Sequence, residues 1–219
     1  MPKFVLLDVN GTLTDLRPIG SPWERPELGA AVLEGAVQTA MVDALLGTGD
    51  RPFSDHLRSA LEVLVADAGL DPDGIATALA LAAELPAWPD ARTALELLAD
   101  SDLRLVALTN SGADAGSKTL RACGLLDLLE RVLGVDAVSS FKPHPSVYAY
   151  ALGELGCDAS EVALLATHPW DLAAAAHARI GTAWVSHRAR GWPSVFPTPD
   201  VRGESLLTLA EAIVHSSSR

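Results

Sequence analysis

The stretch FVLLDVNGTLTD, residues 4–15, indicates how this chain begins to fold. Its first four residues are all apolar, which is typical of a parallel strand buried on both faces. The carboxylate of Asp8 follows this strand directly, and Gly11 permits a sharp turn soon after it. Since ligands of open α/β sheets bind beyond the carboxyl ends of the strands, Asp8 lies at a candidate site.

Similar apolar runs recur downstream, and segments with helical periodicity separate them. The runs cover residues 103–108, 162–165 and 182–185, with a weaker one at 131–135. Helical patterns cover residues 90–99, 113–120, 147–155 and 172–179. Strands that alternate with helices predict parallel crossover units and a doubly wound α/β sheet.

Residues 16–87 follow a different pattern, without any strand signal. Residues 16–27 are rich in Pro, Arg and Gly and predict a loop, whereas residues 30–46, 55–69 and 73–85 predict helices. We therefore predict a core made of residues 1–15 and 88–219. The helical segment, residues 16–87, is predicted to be a cap inserted after the first strand. A chain of 219 residues is long enough to bury a sizeable core in this arrangement.

Charge and composition narrow the classes of partner. The formal net charge of −12 disfavours a nucleic-acid partner, because phosphate backbones require a positive surface. Two cysteines are too few for a disulfide framework or a zinc site, and they suit a reducing compartment. We find no signal-peptide pattern and no run of about 20 apolar residues free of charge, Pro or Gly. A cytoplasmic protein with no membrane partner is expected.

Polar segments follow three of the predicted strands and place reactive groups at one edge of the sheet. Asp8 ends the first strand, and Leu-Thr-Asn-Ser-Gly at 108–112 ends the second. Ala-Thr-His-Pro-Trp-Asp at 166–171 follows the run 162–165, and Phe-Lys-Pro-His-Pro at 141–145 lies between these segments. We expect a nucleophile, a hydroxyl with backbone amides, a cation and a second carboxylate to converge there.

These four segments, in this order, resemble the motifs of the haloacid dehalogenase superfamily. The stretch from Asp8 to Thr12 matches the first motif, Thr109 the second, Lys142 the third and Asp171 the fourth. The resemblance covers most of the chain outside the insert. It implies a Rossmann-like parallel sheet as the core, with a small helical cap domain inserted after the first strand.

The resemblance also implies roles for the four matching residues. Asp8 would form a covalent ester with substrate, and Lys142 would hold that carboxylate ionised. Thr109 would bind substrate oxygens together with neighbouring backbone amides. Asp171 would fix Lys142 and orient water, while the cap would exclude bulk water from the site.

Further side chains near these motifs are candidates for substrate binding. We predict this role for Asn10, Asn110, Ser111, Tyr148 and His168. His144 is weighed as another pocket residue, although a loop histidine with local hydrogen bonds is the alternative for both histidines. Trp170 is expected to serve packing rather than substrate contact.

A finer resemblance is to the type II, (S)-2-haloacid dehalogenase branch. Tyr148 lies six residues after Lys142, and an aromatic residue precedes Asp171, as in that branch. Asn10 stands where phosphatases of the superfamily usually have a second Asp that protonates the leaving alkoxide. An amide cannot act as an acid, whereas a halide leaves without a proton. The residues therefore favour cleavage of the carbon–halogen bond of short 2-haloacids.

Two positions differ from that branch. Its first cap helix carries an Arg that cradles the halide, but residues 30–46 contain no Arg or Lys; other arginines nearby are Arg17, Arg25, Arg51 and Arg58. His168 replaces an Asn. Three functions stay open at this point: a 2-haloacid dehalogenase, a Mg-dependent small-molecule phosphatase, and a non-catalytic ligand-binding protein.

Cofactors and partners differ between these functions. A dehalogenase is expected to need no cofactor and no metal, because Lys142 supplies the positive charge. A phosphatase would hold Mg²⁺ with the side chains of Asp8 and Asp171 and the backbone carbonyl of Asn10, since Mg²⁺ prefers oxygen ligands. Both would take a small anionic substrate. Dimers are common in the branch that this chain resembles, which makes a homodimer a further prediction.

Overall fold

The computed structural model describes residues 2–48, 51–187 and 191–217. Its strands are β1 (Phe4–Leu7), β2 (Arg104–Thr109), β3 (Arg131–Gly134), β4 (Val162–Ala166), β5 (Gly181–Val185) and β6 (Val201–Gly203). All six are parallel and form one sheet in the order β3-β2-β1-β4-β5-β6. The five predicted strands are confirmed. The three-residue edge strand β6 has no apolar run and so lacks a sequence signal.

Eight helices accompany the sheet in the part of the chain that the structure describes. They are α1 (Leu28–Leu46), α2 (Phe53–Asp67), α3 (Gly74–Ala82), α4 (Ala91–Ala99), α5 (Ala113–Ala122), α6 (Pro145–Leu155), α7 (Pro169–His177) and α8 (Leu206–Ser217). The expectation of a loop at residues 16–27 is wrong in part, because Arg17–Trp23 forms a 3-10 helix. Pro18 lies in its first turn, where the fixed φ of proline suits a helix.

The register of the sheet brings the predicted site segments together. Leu7 lies opposite Ala107 on β2 and opposite Leu165 on β4. The residues that follow these three positions therefore leave the sheet at the same edge. Because β1 lies between β2 and β4, Asp8 is central in this edge, as the strand-end prediction requires.

Each face of the sheet covers its own apolar core, which follows from the alternation of side chains along β1. Phe4 and Leu6 contribute to one core, together with residues of α1, α6 and α7. Val5 and Leu7 contribute to the other, together with residues of α4 and α8. The central strand is therefore buried on both sides, and Asp8 is attached to a rigid part of the molecule.

The insert between β1 and α4 forms a helical cap with an apolar interior of its own. Buried residues from the 3-10 helix, from α1, α2 and α3 and from the segment after them meet there: Ile19, Val32, Leu61, Ala78 and Leu85. Helix α4 instead packs against α8 on the sheet. A helical insert after the first strand is thus confirmed, whereas its boundary between residues 87 and 88 stays a prediction.

Helix α1 is long and apolar enough to cross a membrane by length and composition alone. Its composition has another explanation, because Ala36, Val37 and Ala40 are buried in the core that α1 shares with the sheet. Glu34 and Asp43 also interrupt the helix with charge. The cytoplasmic location and the absence of a membrane partner stay predictions.

Candidate active site

The side chain of Lys142 joins the two predicted carboxylates. Its Nζ lies 2.7 Å from Asp8 Oδ1 and 2.6 Å from Asp171 Oδ2, and it donates a third hydrogen bond to the carbonyl oxygen of Leu108 at 3.0 Å. A lysine ammonium has three hydrogens, so all three have acceptors. Lys142 and Asp171 have no solvent exposure and Asp8 only 5%. The ion pairs are thus shielded from the solvent screening that weakens surface pairs.

The loop that carries Lys142 is held by Asn110 at the end of β2. The Oδ1 of Asn110 accepts a hydrogen bond from the backbone N–H of Lys142 at 2.8 Å, and its Nδ2 donates to the Lys142 carbonyl at 3.5 Å. The peptide bond between Lys142 and Pro143 is cis. Asn110 therefore positions the backbone of Lys142, and its predicted contact with substrate stays a prediction.

The second oxygen of Asp8 is held by the turn that follows β1. Thr12 Oγ1 donates to Asp8 Oδ2 at 2.6 Å and accepts a hydrogen bond from Thr167 N at 2.9 Å. The same hydroxyl therefore links the nucleophile to the loop after β4. Trp184 Nε1 donates to the Thr167 carbonyl at 3.1 Å and fixes this loop from the neighbouring strand.

Asp171 is tied down at both carboxylate oxygens. Tyr148 donates its hydroxyl hydrogen to Asp171 Oδ1 at 2.5 Å, while Oδ2 accepts from Lys142. Tyr148 itself is fully buried in α6. Burial and the neighbouring Asp171 together raise the pKa of Tyr148 well above its ordinary value, so it stays a hydrogen-bond donor. Its predicted contact with substrate stays a prediction, because the described hydroxyl bond is to Asp171.

The pKa shifts in this cluster follow from burial and from Lys142. Burial alone would raise the pKa of Asp8, but Lys142, His168 and Thr12 together hold it below its ordinary value. Burial would likewise lower the pKa of Lys142, but the two carboxylates raise it. The pKa of Asp171 is raised, because burial and repulsion from Asp8 outweigh Lys142 and Tyr148. Lys142 thus favours the ionised form of Asp8, the form that a nucleophile needs.

His168 lies between the nucleophile and the open space of the site. Its Nε2 is 2.9 Å from the Asn10 carbonyl oxygen and 3.5 Å from Asp8 Oδ2. Its ring stacks on Trp170, with the ring centres 5.1 Å apart and the planes at 15°. The predicted site residue His168 therefore does belong to the site, and Trp170 contributes through this stacking.

A cavity of about 410 Å³ opens between the cap and this edge of the sheet. Core residues such as Gly11, Thr167 and His168 form one side. Apolar residues of α1 form another, among them Ala30, Leu33 and Val37. Of the five residues predicted to bind substrate, His168 is the one among the lining residues that the structure describes.

The remaining predicted residues take part in local hydrogen bonds. Thr109 is buried, and its Oγ1 accepts a hydrogen bond from Ser111 N at 3.1 Å, as in a turn. His144 is exposed and caps α6, accepting from Ser146 N at 3.3 Å. The pocket role considered for His144 is therefore wrong. The roles of Thr109 and Ser111 toward substrate stay predictions.

Arg17, Trp88 and His187 are among the cavity residues that were not sequence candidates. Arg17 binds Asp15 through Nε at 2.7 Å, and its guanidinium lies 5.5 Å from the ring centre of Trp88. His187 stacks on Trp88 at 4.3 Å and contacts the Thr12 carbonyl at 2.8 Å. His187 follows β5, so the same strand-end rule that selected Asp8 would have found it. Arg17 and Trp88 lie at the two ends of the insert, where the chain enters and leaves the cap.

The residues present do not suit the magnesium site of the phosphatase alternative. That site would need oxygens of Asp8, Asp171 and the Asn10 carbonyl, but His168 contacts the Asn10 carbonyl. Lys142 and Tyr148 already bond both oxygens of Asp171. Within the described ranges, no group of three or more His, Cys, Asp or Glu side chains is arranged to hold a metal ion.

The sheet, the cap and the carboxylate–lysine cluster define a class, that of capped α/β hydrolases with a carboxylate at the end of the central strand. Comparison with known proteins identifies the family. A family model of haloacid dehalogenase-like hydrolases matches residues 2–179. This chain therefore belongs to the haloacid dehalogenase-like hydrolases.

Individual relatives agree with this family. The (S)-2-haloacid dehalogenase of Xanthobacter autotrophicus is 30% identical over 183 residues, 80% of this chain and 71% of that protein. Haloacetate dehalogenase H-2 of Moraxella sp. (strain B) is 26% identical over 96% of both chains. The fold matches L-2-haloacid dehalogenase from X. autotrophicus, solved with chloropropionic acid covalently bound, with a TM-score of 0.87 and 23% identity. That match covers 97% of this chain and 98% of the other.

Proposed function

We propose that this protein hydrolyses the carbon–halogen bond of 2-haloacids, with Asp8 as a covalent nucleophile and without a metal ion. The observation that carries the proposal is the position of Lys142 between Asp8 and Asp171, at 2.7 and 2.6 Å. A buried ammonium here keeps Asp8 ionised and supplies the positive charge that a metal would otherwise provide. The dehalogenase relatives support the choice of substrate class.

The reaction would proceed in two displacements. A carboxylate oxygen of Asp8 attacks carbon 2 of the substrate from the side opposite the halogen, and the halide leaves with the bonding electron pair. Water then attacks the carboxyl carbon of Asp8, and the bond between that carbon and the ester oxygen breaks. One hydrogen of the water ends on the departing oxygen of the hydroxy acid, and the other is released as a proton. The products are halide and a 2-hydroxy acid of inverted configuration, and Asp8 is restored.

The residue beside the nucleophile favours a halide over an alkoxide as the leaving group. An alkoxide needs a proton as it departs, and Asn10 has an amide that cannot supply one. A halide is a weak base and leaves without a proton. This chemistry, rather than the fold, separates dehalogenation from phosphate-ester hydrolysis in this family.

The substrate carboxylate requires a cation, and Arg17 is the described cavity residue that can provide it. The other ionisable lining residues include the carboxylates of Asp15, Glu27 and Glu34, which would repel an anion. Arg17 bonds one oxygen of Asp15 through Nε and Nη2, and 51% of its side chain is exposed, so its guanidinium can also reach a second carboxylate. We propose that Arg17 binds the substrate carboxylate, a role distinct from that of the halide-cradling arginine that the first cap helix lacks.

The first test is halide release from racemic 2-bromopropionate in the presence of a metal chelator. We expect turnover by the wild type and a loss of at least about 10⁴-fold in Asp8→Asn, the scale typical of removing a nucleophile. Asp114→Asn, at an exposed position of α5, is the matched control and should keep its activity. Turnover that persists in Asp8→Asn would rule out the covalent scheme.

A labelling experiment tests the ester directly. In a single turnover in H₂¹⁸O with enzyme in excess, the heavy oxygen should enter the Asp8 carboxylate rather than the hydroxy acid. Mass spectrometry of the peptide that contains Asp8 measures this. Label found only in the product would mean that water attacks carbon 2 directly. No halide release by the wild type would instead favour the phosphatase and ligand-binding alternatives, with phosphate esters, assayed with Mg²⁺, as the next substrates.

A further inference from the structure

His168 lies where a divalent cation would lie if the site held one. A cation at this nucleophile would need an oxygen of Asp8 and the carbonyl oxygen of Asn10 as neighbours. The Nε2 atom of His168 is 3.5 Å from the first and 2.9 Å from the second. One ring nitrogen of this chain thus occupies the space between two of the three oxygen ligands.

The proton on His168 can be assigned from its partner. A backbone carbonyl oxygen only accepts hydrogen bonds, so the Nε2 atom that lies 2.9 Å from Asn10 must carry the hydrogen. This assignment does not depend on the charge of the ring, because Nε2 carries a hydrogen in one neutral tautomer and in the cation. The N–H therefore directs its positive end toward Asn10, with Asp8 beside it.

The position of His168 is fixed from three sides. Its ring stacks on Trp170, and its backbone is the N-terminal cap of α7, with Pro169 in the first turn. On the third side lies Gly11, where a Cβ atom would be only 3.2 Å from His168 Nε2. Because Gly11 has no side chain, the ring of His168 lies against it without a steric clash.

The third oxygen ligand is also unavailable to a cation. Asp171 is fully buried and bonds Lys142 through one oxygen and Tyr148 through the other. A cation bound to Asp8 and the Asn10 carbonyl would fill its remaining positions with water, so His168 is the group that it would have to displace. The side chain of His168 is the most exposed of this group, at 15% against 7% for Asp8, so it is the residue that a cation would meet first.

We propose that His168 takes the place of a divalent cation and excludes metal ions from Asp8. It is a positioning residue, which orients Asp8 and the Asn10 carbonyl through its N–H. The part of this inference that concerns catalysis rests on the proposed function. Whether His168 excludes a cation can be measured without any turnover.

The test is the binding of Mn²⁺, a cation that also accepts oxygen ligands, to the full chain. Electron paramagnetic resonance of free Mn²⁺ counts the ions bound, including those at acidic surface groups. We expect His168→Ala to bind one Mn²⁺ per chain more than the wild type does. The added site should disappear in the double variant with Asp8→Asn. His177→Ala, an exposed histidine on the same helix, is the matched control and should bind like the wild type.

Two outcomes would overturn the inference. One is that His168→Ala binds no more Mn²⁺ than the wild type while it keeps its near-UV circular dichroism. The other is a site in the wild type that Asp8→Asn removes. If His168→Ala does not fold, His168→Ser opens the same space and is measured instead. Halide release by the wild type in the presence of a chelator tests the proposed function separately. The dehalogenase function and the exclusion of metal ions by His168 can therefore be rejected independently.

Discussion

Tyr148 on helix α6 donates its hydroxyl hydrogen to Asp171 on helix α7, across an O–O distance of 2.5 Å. Asp171 in turn accepts a hydrogen bond from Lys142, which also bonds Asp8. A chain of four buried side chains therefore runs from α6 to the nucleophile. In such a network each hydrogen bond strengthens its neighbours, so the loss of one side chain weakens the other hydrogen bonds of the network.

Tyr148→Phe should weaken the site without changing its shape. The change leaves Asp171 short of one donor, and a buried hydrogen bond to a charged group is worth about 1.5–3 kcal/mol. We expect a loss of that size in the free energy of unfolding, and a fall in kcat of roughly tenfold or more. Urea unfolding and halide release measure the two effects. Tyr150→Phe, on the same helix and only partly buried, should alter neither.

Lys142→Met should destabilise the fold more strongly. Breaking a buried ion pair by removing one partner typically costs about 3–5 kcal/mol, and here two carboxylates lose their cation. Without Lys142, burial would raise the folded-state pKa of Asp8, so this variant should regain part of its stability as the pH falls through that pKa. Exposed Lys118→Met is the control. An unfolding curve like that of the wild type would show that the pair contributes little.

Gly11→Ala should disturb the site through His168. Gly11 has φ +82°, and an added Cβ would lie 3.2 Å from His168 Nε2 and 3.1 Å from Leu16 Cδ1. Gly124 has φ +71° with open space around the same position, so Gly124→Ala measures the backbone strain alone, about 1–2 kcal/mol. We expect Gly11→Ala to lose more stability than this, and to lose activity, which Gly124→Ala keeps. Equal losses in both variants would contradict the contact.

Stability should fall as the pH drops below about 6.5, the ordinary pKa of histidine, partly because of His56. Burial lowers the pKa of His56 in the folded state, and Arg51 lowers it further, against Asp43 and Asp55. Its ring packs on Phe141, 5.1 Å between ring centres. The unfolded chain therefore binds a proton that the folded chain does not. This contribution is complete above the unfolded pKa and is lost as the pH falls toward the folded one.

The measurement is the free energy of unfolding from pH 7.5 to 5.0. His56→Gln should show a smaller decrease than the wild type across this range. The partly buried His187, whose pKa burial also lowers, keeps part of the slope. His144→Gln, at an exposed position, should follow the wild-type curve. A slope unchanged by His56→Gln would mean that this ring does not resist protonation in the folded state.

Arg17→Met should raise KM for 2-bromopropionate and affect kcat less. The change keeps the apolar stem beside Trp88 but removes the charge that we assign to the substrate carboxylate. Loss of a charged hydrogen bond of about 1.5–3 kcal/mol corresponds to a KM increase of roughly 10- to 100-fold. Arg25→Met, which removes an exposed arginine paired with Glu27, is the control. A fall in kcat with unchanged KM would place Arg17 outside the binding role.

Prediction from the sequence succeeded where the signal was local. The apolar runs located β1 to β5, and the strand-end rule located Asp8 and Asp171. Prediction failed for elements that are too short or too irregular to give a hydrophobic period. Strand β6 is three residues long, and the proline-rich segment after the first motif gave no helical periodicity.

The amino-acid sequence alone indicated the family, the sheet with its helical cap, and the residues proposed to carry the reaction, because apolar runs and short motifs are encoded in neighbouring residues. Only the tertiary structure decided which side chains meet. Lys142 reaches Asp8 across 134 residues, and His168 reaches Asn10 across 158. Such contacts depend on strand register and side-chain rotamers, which no local pattern records. For the same reason the sequence did not indicate that Arg17 lines the cavity, since its position there depends on how the cap packs against the sheet.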